Sequence, residues 1–171
     1  GQFEVLARDL AEVQRKQKDE LQVFDDRIRK FEPSKVVVDG KEFLAESAEK
    51  RDFEWALSVF RKGEFDRAQV ALVDFLNRYG ANSGYRASAL FWLGNAQYAN
   101  RSYKEAIGNF KSLLASAPSH ARAPEAALAI ANCQIELKET RGARKTLEDL
   151  LRVYPQSEAA VAAKERLSHL K

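Results

Sequence analysis

Few side chains in this sequence could do acid–base or nucleophilic chemistry near neutral pH. They are His120, His169 and Cys133. A histidine base needs a positioned partner. His120 reads as a loop residue and His169 lies near the C-terminal end, so no set assembles from the sequence. Cys133 sits in "ALAIANCQIEL" among small and apolar neighbours, the setting of a buried thiol rather than a nucleophile. Neither a His-Glu-x-x-His motif nor a paired-cysteine zinc pattern is present, and no glycine-rich loop follows a strand. Asn100-Arg101-Ser102 satisfies the glycosylation triplet but falls in a turn of a repeat, where coincidence explains it. The expectation is a non-enzyme with no metal and no cofactor.

Charge points away from nucleic acid. Net charge is +3. Up to Arg51 the chain carries 11 Lys+Arg against 12 Asp+Glu, and beyond it 17 against 13, an excess too dispersed for a phosphate footprint. The run Arg15-Lys16-Gln17-Lys18 is followed at once by Asp19-Glu20, which on a helix reads as a solvated ion-pair face. No stretch of about 18 apolar residues exists, so no membrane-spanning helix is expected. The chain starts with Gly and has no Met, which predicts a processed or trimmed product.

The elements that would carry a binding surface fall into three parts. In 1–31, apolar residues recur at Phe3, Leu6, Leu10 and Val13, then at Leu21, Phe24, Ile28 and Phe31. Three-four spacing predicts a narrow helical seam, with Gln17 on it and a one-residue slip between Val13 and Leu21. Such a stripe needs partner helices, and identical copies supply them most simply; folding back on its own domain is the alternative. Residues 32–46 read as a linker with a short extended piece: Pro33 breaks helix, Val36-Val37-Val38 is β-prone, and Asp39-Gly40 is a turn signal. Helix is expected to resume between Lys41 and Ser47.

From Ser47 the chain repeats. Ala68, Ala106 and Ala143, spaced by 38 and 37 residues, anchor three copies. Thirteen residues earlier stand Trp55, Leu93 and Ile130, and next to them the small Ala56, Gly94 and Ala131. Four residues after the anchors stand Leu72, Phe110 and Leu147; seven after, Phe75, Leu113 and Leu150; twelve after, the breakers Gly80, Pro118 and Pro155. Registered columns of this kind predict stacked helix–turn–helix hairpins. Repeats are expected at about 47–82, 85–120 and 122–156, with a capping helix over 157–170 started by Ser157. Trp55 and Trp92 are assigned to the core.

The second copy, "LGNAQYANRSYKEAIGNF" followed by Pro118, resembles a tetratricopeptide repeat. Gly80 in the first copy and Ile130-Ala131 in the third depart from that pattern. The predicted fold class is therefore all-α: an N-terminal coiled-coil helix, then a three-repeat tetratricopeptide superhelix with a C-terminal capping helix. Seam helix, linker, repeats, "ALFWLGNAQY" and the Tyr154-Pro155-Gln156-Ser157 punctuation are together similar to the YbgF/CpoB family of periplasmic Tol-Pal-associated cell-division coordinators. That resemblance implies a periplasmic, homotrimeric adaptor. Its partners would be TolA and a peptidoglycan synthase complex, and its role would be to couple outer-membrane constriction to septal peptidoglycan synthesis. Two other readings stay open: a repeat scaffold of an outer-membrane assembly complex, and the helical, non-catalytic region of a cell-wall lytic enzyme.

Helical spacing selects a concave, partner-binding groove on the first helix of each copy. It comprises Phe53, Leu57, Phe60 and Arg61, then Phe91, Asn95 and Tyr98, then Leu128, Asn132, Ile135 and Glu136. Asn95 and Asn132 would be equivalent amides, each able to donate to and accept from a peptide backbone. The same aromatics could instead pack against a neighbouring hairpin.

Overall fold

The computed structural model describes residues 1–170. Helix α1, Gln2–Arg29, buries none of its residues. Its stripe from Phe3 through Leu6, Leu10, Val13, Leu21, Phe24 and Ile28 to Phe31 is exposed throughout, and Gln17 is exposed with it. At its end the Lys30 carbonyl accepts a 2.6 Å hydrogen bond from the Ser47 hydroxyl.

Residues 34–45 are not a bare linker. Strands β1 (Ser34–Val38) and β2 (Lys41–Ala45) form an antiparallel hairpin in which Val36 faces Phe43 and Val38 faces Lys41. Both turn residues, Asp39 (φ 49°) and Gly40 (φ 77°), take positive φ, as the tight two-residue turn of a twisted hairpin requires. The inner face is apolar: Val36 and Ala45 are buried, and Val38 and Phe43 pack beside them. Phe43 can dock because residue 84 is glycine; a Cβ there would fall 2.2 Å from its ring.

Seven helices follow: α2 (Ser47–Arg61), α3 (Phe65–Tyr79), α4 (Arg86–Ala99), α5 (Tyr103–Ser116), α6 (Ala123–Glu136), α7 (Thr140–Val153) and α8 (Glu158–His169). The first six form three antiparallel pairs, and α8 packs on α6 and α7. Within each pair the turn is the same. Gly63, Arg101 and Lys138 hold positive φ, and the next N–H reaches five residues back, from Glu64 to Val59, Ser102 to Gln97 and Glu139 to Gln134. This double-bonded left-handed stop satisfies the carbonyls a helix end would otherwise orphan. The start of α8 is capped by the Ser157 hydroxyl, which accepts from the Ala160 N–H at 3.1 Å.

Three large apolar clusters run along the array, with a smaller fourth of Val59, Ala68 and Ala96 among α2, α3 and α4. One joins the hairpin to α2, α3 and the start of α4, one lies among α4, α5 and α6, and one among α6, α7 and α8. Trp55 is a correction. It shares the repeat column of Leu93 and Ile130, each 3% exposed, yet is itself 52% exposed. Those two residues pack against the preceding helix pair, and the first copy has none before it among the described residues. Trp92 is half-buried rather than internal, edge-on to Phe60 at 5.1 Å.

Within a helix the tightest glycine is Gly94, where a Cβ would lie 2.6 Å from the ring of the fully buried Phe110. Gly94→Ala should therefore reverse the usual preference. The helix-propensity gain of about 1 kcal/mol is outweighed by overpacking of about 1–3 kcal/mol. Urea denaturation should report net destabilisation, whereas the same change at the open Gly108 should stabilise α5.

Candidate partner-binding cleft

One open cleft of about 710 Å³ lies on the face of the array where the hairpin docks. One wall is β1 from Lys35 to Val38, continued by Asp39 of the turn. The other is a stripe of α2, Lys50, Phe53, Glu54, Leu57 and Arg61, closed by Tyr85, Trp92 and Arg122. The α2 residues recur at three- and four-residue steps, so they share one helical face. The floor is aromatic: Tyr85 stacks on Phe53 at 4.4 Å and meets Phe43 edge-on at 4.8 Å. Burial, with Glu54 and Glu49 nearby, pushes the Tyr85 hydroxyl up to about 12, so it stays neutral.

The far end of the cleft is fixed by a buried polar clamp. Asp39, at the hairpin tip, accepts from the Ser88 hydroxyl at 2.5 Å and from Arg122 Nε at 2.9 Å. His120 Nε2 lies 3.5 Å from Ser88 Oγ and 3.9 Å from Asp39. Arg122 also spreads its guanidinium over Phe91 and Trp92, 5.2 and 5.4 Å from the ring centres. Serine, histidine and aspartate meet here, but in the wrong order for a nucleophile. Ser88 gives its proton to Asp39, not to His120. His120 Nδ1 accepts the Arg122 backbone N–H at 3.1 Å, which in the neutral ring leaves the proton on Nε2, facing Ser88. The cluster ties the hairpin tip to α4 and to the loop before α6.

The expected groove residues do not form one continuous surface. Leu57 and Arg61 line the cleft. Phe53 and Phe91, expected to face a ligand, are only 3% and 5% exposed. Phe53 contributes to the cleft wall, while Phe91 packs on Phe110 and Trp92. Phe60 is half-buried against Phe65 and Trp92. Asn95 spends an N–H on the Phe91 carbonyl of its own helix at 2.8 Å. Tyr98 stacks edge-on to Tyr103, with its hydroxyl 3.5 Å from Glu136. Leu128 leans on the third cluster, and Ile135 lines a separate hollow with α8. Asn132 differs from Asn95: its Oδ1 is buried without a partner among the described residues. Cys133 is fully buried, and desolvation pushes its thiol up to about 11.

The residues that sequence reasoning missed are the hairpin wall, Lys50, Glu54, Tyr85, Trp92 and Arg122. A signal existed: the β-prone Val36-Val37-Val38 run ends at Asp39-Gly40, a tight-turn pair that can start a hairpin.

Comparison with known proteins agrees with the repeat fold. A family model described as tetratricopeptide repeat matches residues 97–167. The array has the tetratricopeptide-repeat fold. PcrH of Pseudomonas aeruginosa, solved in complex with the chaperone binding region of PopD, superposes with a TM-score of 0.63 at 16% identity, covering 74% of this chain and 93% of that one. The type III secretion chaperone SycD of Yersinia enterocolitica, in complex with a peptide of the translocator YopD, gives 0.61 at 14%, covering 74% and 91%. The Arabidopsis OM64 TPR domain gives 0.59 at 15%, covering 71% and 95%. A search of curated proteins found no match.

In this tetratricopeptide array the clamp sets a pH dependence. Burial holds His120 below the usual histidine range, with Lys41 and Arg122 adding to the effect and Asp39 opposing it. The unfolded chain takes up the proton near pH 6.5 and the folded chain only lower. The contribution to stability is therefore intact above about pH 6.5 and is lost as pH falls through the folded value. Urea denaturation between pH 7.5 and 5.5 should show a larger loss for the natural chain than for His120→Asn. Asp39→Asn keeps a residue that tolerates positive φ but removes the charge, and should cost about 1–3 kcal/mol at pH 7.5.

Proposed function

We propose that the chain is a non-enzymatic periplasmic adaptor that binds protein segments in its repeat cleft and assembles through α1. In this reading it serves the Tol-Pal system as a homotrimer, engaging TolA and a peptidoglycan synthase complex during division. The observation that carries the binding role is the uncovered cleft, with an aromatic floor and a mixed-charge rim, on a rigid repeat scaffold. Peptides bound to PcrH and SycD support the use of this kind of array for segments of other proteins. The assembly role rests on α1, a 28-residue helix with its whole apolar stripe in solvent. A lone helix of that pattern gains stability by burying the stripe against partners.

Two measurements test the parts separately. Calorimetric titration with the periplasmic part of TolA should show binding. Arg61→Glu and Leu57→Glu should each weaken it by about tenfold or more, roughly 1.4 kcal/mol. Unchanged affinity in both variants would remove the cleft from the interface. Sedimentation should give a trimer for the full chain and a monomer after deletion of residues 1–31, with the helical signal of the repeats intact. A monomer in both cases would sink the assembly role.

A further inference from the structure

Strand β1 has a free edge, and that edge faces the cleft. In a two-residue hairpin the pair next to the turn, Val38 and Lys41, is hydrogen-bonded, and bonding alternates from there. Val38, Val36 and Ser34 therefore spend their backbone groups on β2. The N–H and C=O of Lys35 and Val37 point the other way, and neither bonds another element among the described residues. Consecutive residues of β1 line the cleft and no residue of β2 does, which places that free edge, rather than a sheet face, at its wall. The opposing stripe of α2 from Lys50 to Arg61 is about 16 Å long, and five strand residues span about 13 Å. Edge and helix thus frame a slot for about five extended residues.

We infer that the cleft captures its partner as a third β-strand, antiparallel to β1, with apolar and acidic side chains alternating. This deepens the adaptor reading and rests on it. Directly opposed residues in such a pair share a face. Residues bonded to Lys35 and Val37 would project outward beside the Lys35 ammonium, which Glu42 already holds at 2.9 Å and which an acidic side chain there would share. The residues between them would project inward over Phe53, Leu57 and Trp92, which calls for apolar side chains. The rim carries Lys35, Lys50, Arg61 and Arg122 against Asp39 and Glu54, but Lys35 already pairs with Glu42, Lys50 with Glu54, and Arg122 with Asp39 and Glu125. Asp39 is already committed to Ser88 and Arg122, and Arg61 has no ion pair among the described residues. Main-chain bonds would supply affinity and the alternating side chains selectivity.

The test uses the full chain and the probe acetyl-Asp-Val-Glu-Val-Asp-Val-Glu-amide. Calorimetry should show binding, and NMR hydrogen exchange should slow at the Lys35 and Val37 amides by at least about tenfold. N-methylation of the probe's inner acidic residues removes the donors facing β1 without changing any side chain, and should weaken binding by at least about tenfold. Arg61→Glu should weaken it as well. Binding that ignores N-methylation and leaves both amides unprotected, yet is weakened by Arg61→Glu, would overturn strand addition and leave the cleft as a partner site. Binding indifferent to all three would overturn both. No binding at about 1 mM probe would overturn the acidic–apolar assignment. Protection of the two amides that rises with protein concentration in the absence of probe would show that a second copy takes the edge, and would overturn the proposal too.

Discussion

Two helices can approach only as closely as the smallest side chains between them allow, and this array is built on that limit. Ala56, Ala68, Ala106, Ala131 and Ala143 are all fully buried, one or two to each helix pair. At Gly94 even a methyl group would meet the ring of Phe110. The large residues Leu72, Phe110 and Leu147, also fully buried, fill the space the small ones leave. Interiors packed to crystal-like density gain dispersion contacts and lose them quickly when a gap or clash opens. Helix spacing, the curvature of the stack and the position of the cleft wall all inherit their geometry from these few contacts.

This is also why the repeat half was legible in the sequence. A rule that acts once per hairpin leaves registered columns, and small residues opposite large ones are visible without coordinates. Even the polar contacts recur: Gln97 accepts from Asn109 at 2.7 Å, and Gln134 accepts from Thr146 at 2.8 Å, in equivalent positions. Trp55 shows where column reasoning ends. A column predicts what a residue would touch if a neighbour were present, and the first copy has no preceding pair to cover that tryptophan.

The candidate site was less legible, because it is made by the one element outside the repeat. Helical spacing picked Leu57 and Arg61 for the cleft, but it could not distinguish Phe53 and Phe91, which point inward, from residues facing solvent. What decides their burial is the hairpin, Tyr85 and Arg122, brought together across long sequence separations. Asp39 meets Ser88 and Arg122 across 49 and 83 residues, and no local pattern encodes such a pairing. The Asp39-Gly40 turn could be read, and so could the β-prone run before it. That the hairpin would lie on the array depended on Gly84 leaving room for Phe43, a contact with no counterpart in the other copies.

Placement of the hairpin gives the chain its division of labour. Residues 30 and 47 are joined by a hydrogen bond, so α1 ends where both the hairpin and the repeat array begin. Bundling of α1 would therefore hold the clefts of its copies at one end of a common stalk, close to one another. A slot for about five residues can supply only modest affinity alone, because ordering an extended segment costs conformational entropy. Several slots on one stalk change that arithmetic, since a second segment of the same partner binds at the high effective concentration set by a short tether. Weak individual capture with tight collective hold lets a partner exchange quickly when its segments leave one at a time. The exposed helix and the open strand edge are each costly for a solitary chain to carry, and in the proposed bundle they would together make a multivalent clamp that can still let go.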